Sequence, residues 1–372
     1  MRIVFDCFKQ VKGAGKSIGI YNLALNLVKN LVRYKRTSTD EKILRTELIV
    51  LGNRYNRGDF DITGVRFVCI DAYDPLNKIH CAVWELSVIS NVCRKLTADK
   101  VIFPRGYCAL THPVKDIVII HDLIPFYYKR NFPDTFNKIE NAYIINRLRS
   151  SARTCYRIVT ISEASKRDII KYCQVDESKI RVIHNGCNEM TPYKEKEDGN
   201  EPYICAITSG LPHKNAKGIL RSYERYCEIS KAPLDLVVIG IGDLSCYGLP
   251  EDVKARITYW KFIKDNEEMH RIIANSVLLL FLPLIEGFGY PPIEAMQLKT
   301  PVICSNIDSL SEVVDDAAIL VDPKDPREVA EAMERLIQDQ DRQKQLIEKG
   351  LKNIERFSWD RRAELYWEVL LQ

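Results

Sequence analysis

Two glutamates, Glu286 and Glu294, bracket a glycine-rich turn in the segment EGFGYPPIEAM. Gly287 and Gly289 permit the backbone amides of this turn, including that of Phe288 between them, to approach a bound ligand closely. Carboxylates accept strong hydrogen bonds from hydroxyl groups, because the acceptor is charged. The pattern therefore predicts a site for hydroxyl-rich groups such as a sugar and a ribose.

Two prolines after the turn predict the start of a helix. Pro291 and Pro292 suit the first helical turn, where N–H groups have no acceptor within the helix. A helix N-terminus carries free amides and a partial positive charge, which suit an anion such as a diphosphate. Glu294 is expected in this first turn, where it either binds a ribose or only stabilises the turn.

Two more residues with potential chemistry follow predicted strands. His121 ends an apolar run, and Lys214 lies in SGLPHKN between a predicted strand and a predicted helix. A lysine in such a turn can neutralise a phosphate, and a histidine can contact a polar ligand or exchange a proton. The alternatives are a solvent-exposed lysine and a histidine whose hydrogen bonds are satisfied within the fold.

Short apolar runs alternate with helical patterns along the chain, which is typical of parallel βα units. In the first half, strands are predicted at Arg2–Phe8, Glu47–Leu51, Val65–Ile70, Lys100–Phe103, Ile117–His121 and Arg157–Ile161, and helices at about 18–34, 76–96 and 137–155. In the second half, the predicted strands are Tyr203–Ser209, Leu234–Ile239, Arg256–Trp260, Val277–Leu282, Pro301–Ser305 and Ala318–Val321. The helices predicted there are Asn215–Ile229, Asn266–Asn275, Pro291–Leu298, Pro326 to about Arg356, and Trp359–Leu371.

This alternation predicts an α/β protein with two Rossmann-like, doubly wound parallel sheets that face a cleft, with ligands beyond the carboxyl ends of the strands. The predicted domains are an N-terminal, acceptor-side domain (1–188) and a C-terminal, donor-nucleotide-binding domain (203–356). Residues 189–202 have the composition of a linker. Residues 357–372 are predicted to form a helix that packs back towards the N-terminal domain.

Charge is distributed unevenly along the 372 residues. Residues 1–190 carry a net charge of +12, and the remainder carries −8. The basic half suggests an anionic partner, either a membrane face, a diphosphate-linked acceptor or nucleic acid, and the alternative is a solvated surface. Nucleic acid ranks last, because the chain has no recognition motif for it.

The cysteines and the apolar runs indicate a cytoplasmic protein that is at most peripheral to the inner face of a membrane. Twelve cysteines include no CxxC pair, and Cys7, Cys69, Cys205 and Cys304 lie in apolar runs where a free thiol acts as a small core residue. Such free thiols suit a reducing compartment. No signal peptide is evident at Met1, and the longest apolar run is too short to span a bilayer.

Several motifs together resemble those of glycosyltransferase family 4. The resemblance rests on EGFGYPPIEAM with the following TPVICSNIDSLSEVVDDAAILVDP, and on SIGIYNLAL, IIHDLIP, VTISEASKRDI and VIHNG in the first half. It extends over nearly the whole chain. It implies the two-domain GT-B fold and an enzyme that transfers a sugar with retention of its anomeric configuration.

The resemblance also implies roles for site residues. Glu294 resembles the residue that holds the nucleotide ribose. Glu286, with the amides of residues 287–289, resembles the group that binds the hydroxyls of the transferred sugar. His121 resembles the histidine that contacts the donor sugar, and Gly19 resembles the glycine that lets the N-terminal loop approach the diphosphate.

Lys214 resembles the family lysine that neutralises the leaving diphosphate, but its surroundings depart from the family pattern. Many members have an arginine directly after the preceding strand, whereas this chain has Thr208, Ser209 and Gly210. The usual basic neighbour of the lysine is His213 here. The site is therefore expected to carry less fixed charge, with a pH-dependent contribution from His213.

The function implied is transfer of a hexose from a nucleotide-diphosphate sugar, with GDP-mannose as the favoured donor, to a glycan or polyprenyl-linked acceptor in surface polysaccharide synthesis. No cofactor and no metal are expected. The two D-x-D strings, Asp59–Asp61 and Asp339–Asp341, fall in a predicted polar loop and a predicted helix, whereas a metal–diphosphate site would follow an apolar strand. The aromatic residues Trp260 and Phe262, with Lys261, either help to form a base pocket or belong to the core.

Other functions remain as alternatives. The segment GAGKS (13–17) approaches a P-loop, but Gln10 stands where that motif needs glycine. A dehydrogenase is weaker still, because no GxGxxG follows a strand. A sugar-nucleotide epimerase, or a binding protein without activity, would share the same fold.

Overall fold

A computed structural model describes residues 1–13, 18–187 and 201–372. The chain divides into two compact units. The first consists of residues 1–186 and 359–372, and the second of residues 187–358. The GAGKS segment lies mostly outside the described residues, as does most of the predicted linker.

The first unit is built on a parallel sheet. Over the described residues this sheet has seven strands in the order β3-β2-β1-β4-β5-β6-β7. The strands are β1 Arg2–Asp6, β2 Glu47–Gly52, β3 Arg66–Cys69, β4 Lys100–Phe103, β5 Lys115–Ile120, β6 Arg157–Thr160 and β7 Ile180–Val182. The central strands are buried almost throughout, because helices cover both faces of a parallel sheet.

Helices connect these strands. They are α1 Ile18–Thr37, α2 Glu41–Leu44, α3 Arg57–Phe60, α4 Lys78–Val83, α5 Ile89–Lys95, α6 Ile124–Asn131, α7 Lys138–Thr154 and α8 Glu163–Cys173, with a π-helical turn at Trp84–Val88 and a 3₁₀ turn at Glu177–Lys179. The C-terminal helix, Trp359–Leu371, packs on α1 within this unit. Trp367 Nε1 donates to the carbonyl of Leu31 at 3.3 Å, and Lys100 Nζ donates to that of Leu370 at 2.6 Å.

The second unit repeats the architecture. Its described part contains a six-stranded parallel sheet in the order β10-β9-β8-β11-β12-β13. The strands are β8 Tyr203–Ile207, β9 Asp235–Ile239, β10 Ile257–Trp260, β11 Leu278–Phe281, β12 Val302–Ser305 and β13 Ile319–Val321. The helices are α9 Ala216–Ile229, α10 Glu251–Lys254, α11 Asn266–Asn275, α12 Tyr290–Gln297, α13 Asp308–Val314, α14 Pro326–Gln338 and α15 Gln340–Ile354, and α16 is the C-terminal helix described above; 3₁₀ turns lie at Pro212–Lys214, Ser245–Tyr247 and Glu355–Phe357.

The predicted α/β class with two parallel, Rossmann-like sheets is confirmed. In each sheet the strand order reverses once, between β1 and β4 in the first unit and between β8 and β11 in the second. Ligands of open α/β sheets bind beyond the carboxyl ends of the strands at such a reversal. In the second unit, the loops that follow β8 and β11 begin at this reversal.

The local structures predicted for the two D-x-D strings, a polar loop and the interior of one long helix, were wrong. Asp339 does not lie inside one long helix, because its side chain accepts a hydrogen bond from Arg342 N at 2.8 Å and caps α15. Aspartate is a strong N-cap residue, so it ends the preceding pattern and starts a new helix. Asp59 belongs to helix α3 rather than to a loop, and the hydroxyl of Tyr21 donates to it at 2.5 Å.

The free cysteines and the helices add two observations. All twelve cysteines are free; Cys7, Cys205 and Cys304 are buried as predicted, whereas Cys69 is only partly buried. Among the described helices, none has the length and apolar character needed to cross a bilayer.

Candidate active site

Lys214 and Glu286 form an ion pair at the reversal point of the second sheet. Their Nζ and Oε2 atoms are 2.5 Å apart, and both side chains are largely buried. Lys214 follows β8 and Glu286 follows β11, and these two strands are neighbours in the sheet. The strand order therefore brings together two residues that are 72 positions apart in the chain.

The loop that carries Lys214 is anchored by Asn215. Asn215 has a left-handed backbone (φ 58°), and its side-chain amide donates to the carbonyls of Leu282 at 3.0 Å and Pro323 at 2.9 Å. The hydroxyl of Thr208 donates to the Lys214 carbonyl at 2.7 Å. These contacts fix the backbone of Lys214 against the β11 loop. Asn215 was not predicted from the sequence, where its only signal was its place directly after the lysine.

The turn between β11 and α12 is shaped by Gly289 and held by two serines. Gly289 has a φ of 91° and stands immediately before the helix. The hydroxyl of Ser305 donates to the Pro283 carbonyl, and that of Ser309 donates to the Glu286 carbonyl, both at 2.7 Å. The side chain of Phe288 is buried, so only the backbone of that residue is suited to a ligand.

Replacing Gly289 with alanine is expected to reduce the free energy of unfolding by about 1–3 kcal/mol. A Cβ atom there would lie 2.3 Å from Leu310 Cδ2, in a backbone conformation that side chains rarely adopt. Urea unfolding measures the effect. Gly58→Ala is the matched control, because a Cβ at Gly58 meets no atom within 4 Å. Equal stability of the two variants would contradict this description of the turn.

Glu294 is the fifth residue of α12, so the expectation that it lies in the first helical turn was wrong. The helix starts one residue before the prolines, at Tyr290, and Glu294 therefore does not stabilise that turn. Its carboxylate receives no hydrogen bond and forms no ion pair among the residues that the structure describes. Burial alone raises the pKa of the Glu294 carboxyl to about 7. Glu294 is only partly buried by its accessible surface, so a ligand can reach this unpaired carboxylate, which is suited to accept hydrogen bonds.

Glu294→Gln is expected to stabilise the protein at alkaline pH and not at acidic pH. The folded-state pKa is raised, so the wild type loses stability as the pH rises from the unfolded value of about 4.5 to about 7. The gain for the variant should reach at most about 3 kcal/mol above pH 7. Urea unfolding at pH 4.5 and pH 8.5 tests this. A gain of the same size at both pH values would show that the carboxylate is not the cause.

His213 supplies no positive charge at neutral pH. Its side chain is buried, and burial, followed by the charge of Lys214, lowers its pKa to about 4. The pH-dependent charge expected from its sequence position is therefore not supported. Its backbone does contribute to the site, because the His213 carbonyl accepts a hydrogen bond from Leu284 N at 2.7 Å.

His121 lies in the first unit, directly after β5. Its Nε2 atom is 2.8 Å from the Pro104 carbonyl, which can only accept a hydrogen bond, so Nε2 carries the proton. Burial lowers the pKa of His121, and the ring is neutral at neutral pH. One nitrogen is thus satisfied within the fold, as the alternative interpretation expected, and Nδ1 is left in the acceptor form.

Gly19, the remaining predicted site residue, is the second residue of α1. It therefore belongs to the helix and not to the loop before it. Residues 14–17 of that loop lie outside the described residues.

A buried polar cluster that was not predicted from the sequence lies at the carboxyl edge of the first sheet. Asp6 ends β1, and Trp84 Nε1 donates to it at 3.0 Å. Burial raises the pKa of Asp6 to about 6. Lys9 and the buried Glu85 form an ion pair nearby. A charged residue at the end of the apolar run before Cys7 was the only sequence signal.

Within the described ranges, one group of side chains is close enough to hold a metal ion: Cys108, His112 and Asp116. His112 Nδ1 lies 2.6 Å from Asp116 Oδ2, and Tyr156 N donates to Asp116 Oδ1 at 2.9 Å. Asp116 is at the amino end of β5, opposite to the end that carries His121. These hydrogen bonds give the group a structural role away from the candidate site.

Comparison with known families decides the relationship. Residues 83–189 match the model described as glycosyltransferase family 4, and residues 189–353 match the model described as glycosyl transferases group 1. The two matches run consecutively through well over half of the chain. The chain belongs to glycosyltransferase family 4.

Two curated relatives of this family 4 member are bacterial mannosyltransferases. It is 31% identical to the O-antigen chain mannosyltransferase RfbU of Salmonella typhimurium over 59% of this chain and 60% of the relative. It is 25% identical to O-antigen chain mannosyltransferase B of Escherichia coli over 66% of this chain and 67% of the relative. The matched regions thus span about two thirds of either relative or less.

The fold of this family 4 member also has solved counterparts. Its structure matches that of sucrose-phosphate synthase from Thermosynechococcus elongatus with a TM-score of 0.73, at 15% identity, over 100% of this chain and 99% of that one. With the family match and the two parallel sheets, this likeness confirms the GT-B fold.

Proposed function

We propose that this family 4 member is a retaining glycosyltransferase that moves mannose from GDP-mannose to a glycan or lipid-linked acceptor in surface polysaccharide synthesis. The observation that carries the proposal is the Lys214–Glu286 pair beside the glycine turn, with the unpaired Glu294 on the helix that follows. A single ligand that contains a diphosphate, a sugar and a ribose would provide a binding partner for each of these three side chains.

Lys214 would act on the leaving group. Negative charge on the departing diphosphate grows as the glycosidic bond breaks, so a fixed cation stabilises the transition state more than the bound substrate. The N-terminal end of α12 adds the partial positive charge of its aligned peptide dipoles at the same edge of the sheet. Together they would stabilise the departing charge, and the proposed reaction uses no metal and no other cofactor.

Glu286 would hold the sugar rather than attack it. Its carboxylate is ion-paired with Lys214, and its backbone is fixed by Ser309. When the diphosphate binds Lys214, Glu286 can accept hydrogen bonds from sugar hydroxyls. The departing phosphate oxygen can take the proton of the acceptor, with attack on the same face, and configuration is then retained.

For His121 and Gly19 of the first unit, the proposed roles are contacts with the donor sugar and with the diphosphate. Nδ1 of His121 can accept a hydrogen bond from a sugar hydroxyl, because Nε2 is already used by Pro104. Gly19 is near the N-terminus of α1, and the positive end of a helix dipole suits a phosphate. These two roles rest on the family resemblance together with the positions of the residues.

Mannose is favoured as the sugar because both relatives described above are named as O-antigen mannosyltransferases. The same names favour a growing surface glycan as the acceptor, either free or linked to a polyprenyl diphosphate. We place the reaction at the cytoplasmic face of a membrane, where the basic first half (+12 over residues 1–190) would meet anionic lipid.

A thermal-shift screen against GDP-, UDP- and dTDP-sugars tests the proposal. A donor at a hundredfold excess over its dissociation constant should stabilise the protein by about 2.7 kcal/mol. We expect GDP-mannose to give this shift and the other nucleotide sugars to give less. Stabilisation by UDP- or dTDP-sugars alone would overturn the choice of donor, and stabilisation by none of them would overturn the function.

A further inference from the structure

Six large apolar side chains of the first unit are exposed on α4, on the π-helical turn that follows it, on α7 and in the bend before α7. We call them the α4–α7 apolar patch: Ile79, Val83, Leu86, Phe136, Ile139 and Tyr143. Ile79 is 72% exposed and Ile139 is 83% exposed, so both project almost completely from the surface. Scattered exposed apolar residues need no explanation, but a group of them marks an interaction surface.

An exposed ion pair connects the α4 side of the patch to its α7 side. Lys78 Nζ lies 3.1 Å from Glu140 Oε1, which joins the start of α4 to the start of α7. Ile79, Val83 and Leu86 follow the i, i+4, i+7 spacing of one helical face.

Cationic side chains are interleaved with this patch. Lys78 precedes Ile79, and Lys138 precedes Ile139. Lys129 and Arg130 are exposed and follow Tyr128, whose ring centroid is 4.6 Å from that of Phe136. Two of these four cations form ion pairs with exposed carboxylates, Lys78 with Glu140 and Lys138 with Asp134. Such pairs contribute little because they are exposed.

We propose that the α4–α7 apolar patch docks on the surface of a bilayer that contains anionic lipid. Isoleucine tips would enter the acyl boundary, while the neighbouring lysine and arginine heads would remain at the level of the headgroups. Charge complementarity favours this occupant, since the patch and the whole first half are basic. The inference rests on the proposed function only in its purpose, which is to bring the enzyme to a lipid-linked acceptor.

Flotation with vesicles of phosphatidylcholine alone, or with 30 mol% phosphatidylglycerol, tests the surface. The full chain should float with the anionic vesicles and not with the neutral ones. Ile79→Ser/Ile139→Ser should reduce the floated fraction at least tenfold, and Lys129→Glu/Arg130→Glu should do the same at low salt. Ile229→Ser is the matched control, because Ile229 is an isoleucine of the second unit that is 45% exposed.

The outcomes separate this inference from the proposed function. Flotation of the double serine variant at the wild-type level would overturn the assignment of the patch. So would a wild type that does not float but forms dimers that this variant abolishes, because the patch would then bind a second copy. The thermal shift with GDP-mannose, measured without vesicles, should be the same in the wild type and in the double serine variant. If the wild type shows no thermal shift with GDP-mannose, the proposed function is contradicted, and the conclusion from the vesicles is not affected.

Discussion

Lys214→Met is expected to reduce sugar transfer by about 10²–10³-fold, which is the usual effect of removing one group that stabilises charge in a transition state. Methionine is only one atom shorter than lysine, and it carries neither the charge nor the N–H donors of the lysine. The loss should fall mainly on kcat, because the diphosphate gains charge as it leaves. Donor consumption measured by release of the nucleoside diphosphate gives kcat and KM. Lys217→Met is the matched control, since Lys217 is exposed on α9 only three residues further on.

A second substitution separates the two roles of the lysine. Lys214→Met alone leaves Glu286 without its partner, so the donor's diphosphate would meet an uncompensated carboxylate. Lys214→Met/Glu286→Gln should therefore bind the donor better than the single variant does. Its turnover should remain low, because no cation has been restored. Transfer by Lys214→Met within threefold of the wild type would contradict the assigned role.

Glu294→Ala is expected to weaken donor binding at least a hundredfold, since charged hydrogen bonds contribute about 1.5–3 kcal/mol each. The ionised carboxylate is the better acceptor for ribose hydroxyls. Because burial raises the pKa of Glu294 to about 7, donor affinity of the wild type should rise between pH 6 and pH 8. Titration calorimetry across this range measures both effects. Glu294→Gln should remove the pH dependence.

The control for this prediction is Glu348→Ala, which removes an exposed glutamate from α15. Donor affinity that stays unchanged in Glu294→Ala would show that the ribose lies elsewhere. An affinity that falls between pH 6 and pH 8 would contradict the sign of the linkage, because it would mean that the protonated carboxyl is the form that binds.

The local parts of the site were predictable from the sequence. Glycine and proline act on their own backbone, so the turn at Gly289 and the start of α12 could be inferred from a few adjacent residues. The fold class followed from the alternation of apolar runs and helical patterns. The domain boundaries and the roles of the site residues stay predictions.

Other features depend on tertiary neighbours and could not be predicted. The pairing of Lys214 with Glu286 depends on β8 lying next to β11, and no spacing of 72 residues encodes that order. The raised pKa of Glu294 and the lowered pKa of His213 both come from burial. The helix end at Asp339 was misassigned because the apolar pattern continues through a capping residue.

Transfer of labelled mannose from GDP-mannose into the lipid-linked glycan of isolated membranes is the most direct test of the central claim. The wild type should incorporate label, Glu286→Ala should bind the nucleotide yet transfer little, and Glu294→Ala should do neither. Normal transfer by both variants would show that the chemistry does not occur at the carboxyl edge of the second sheet.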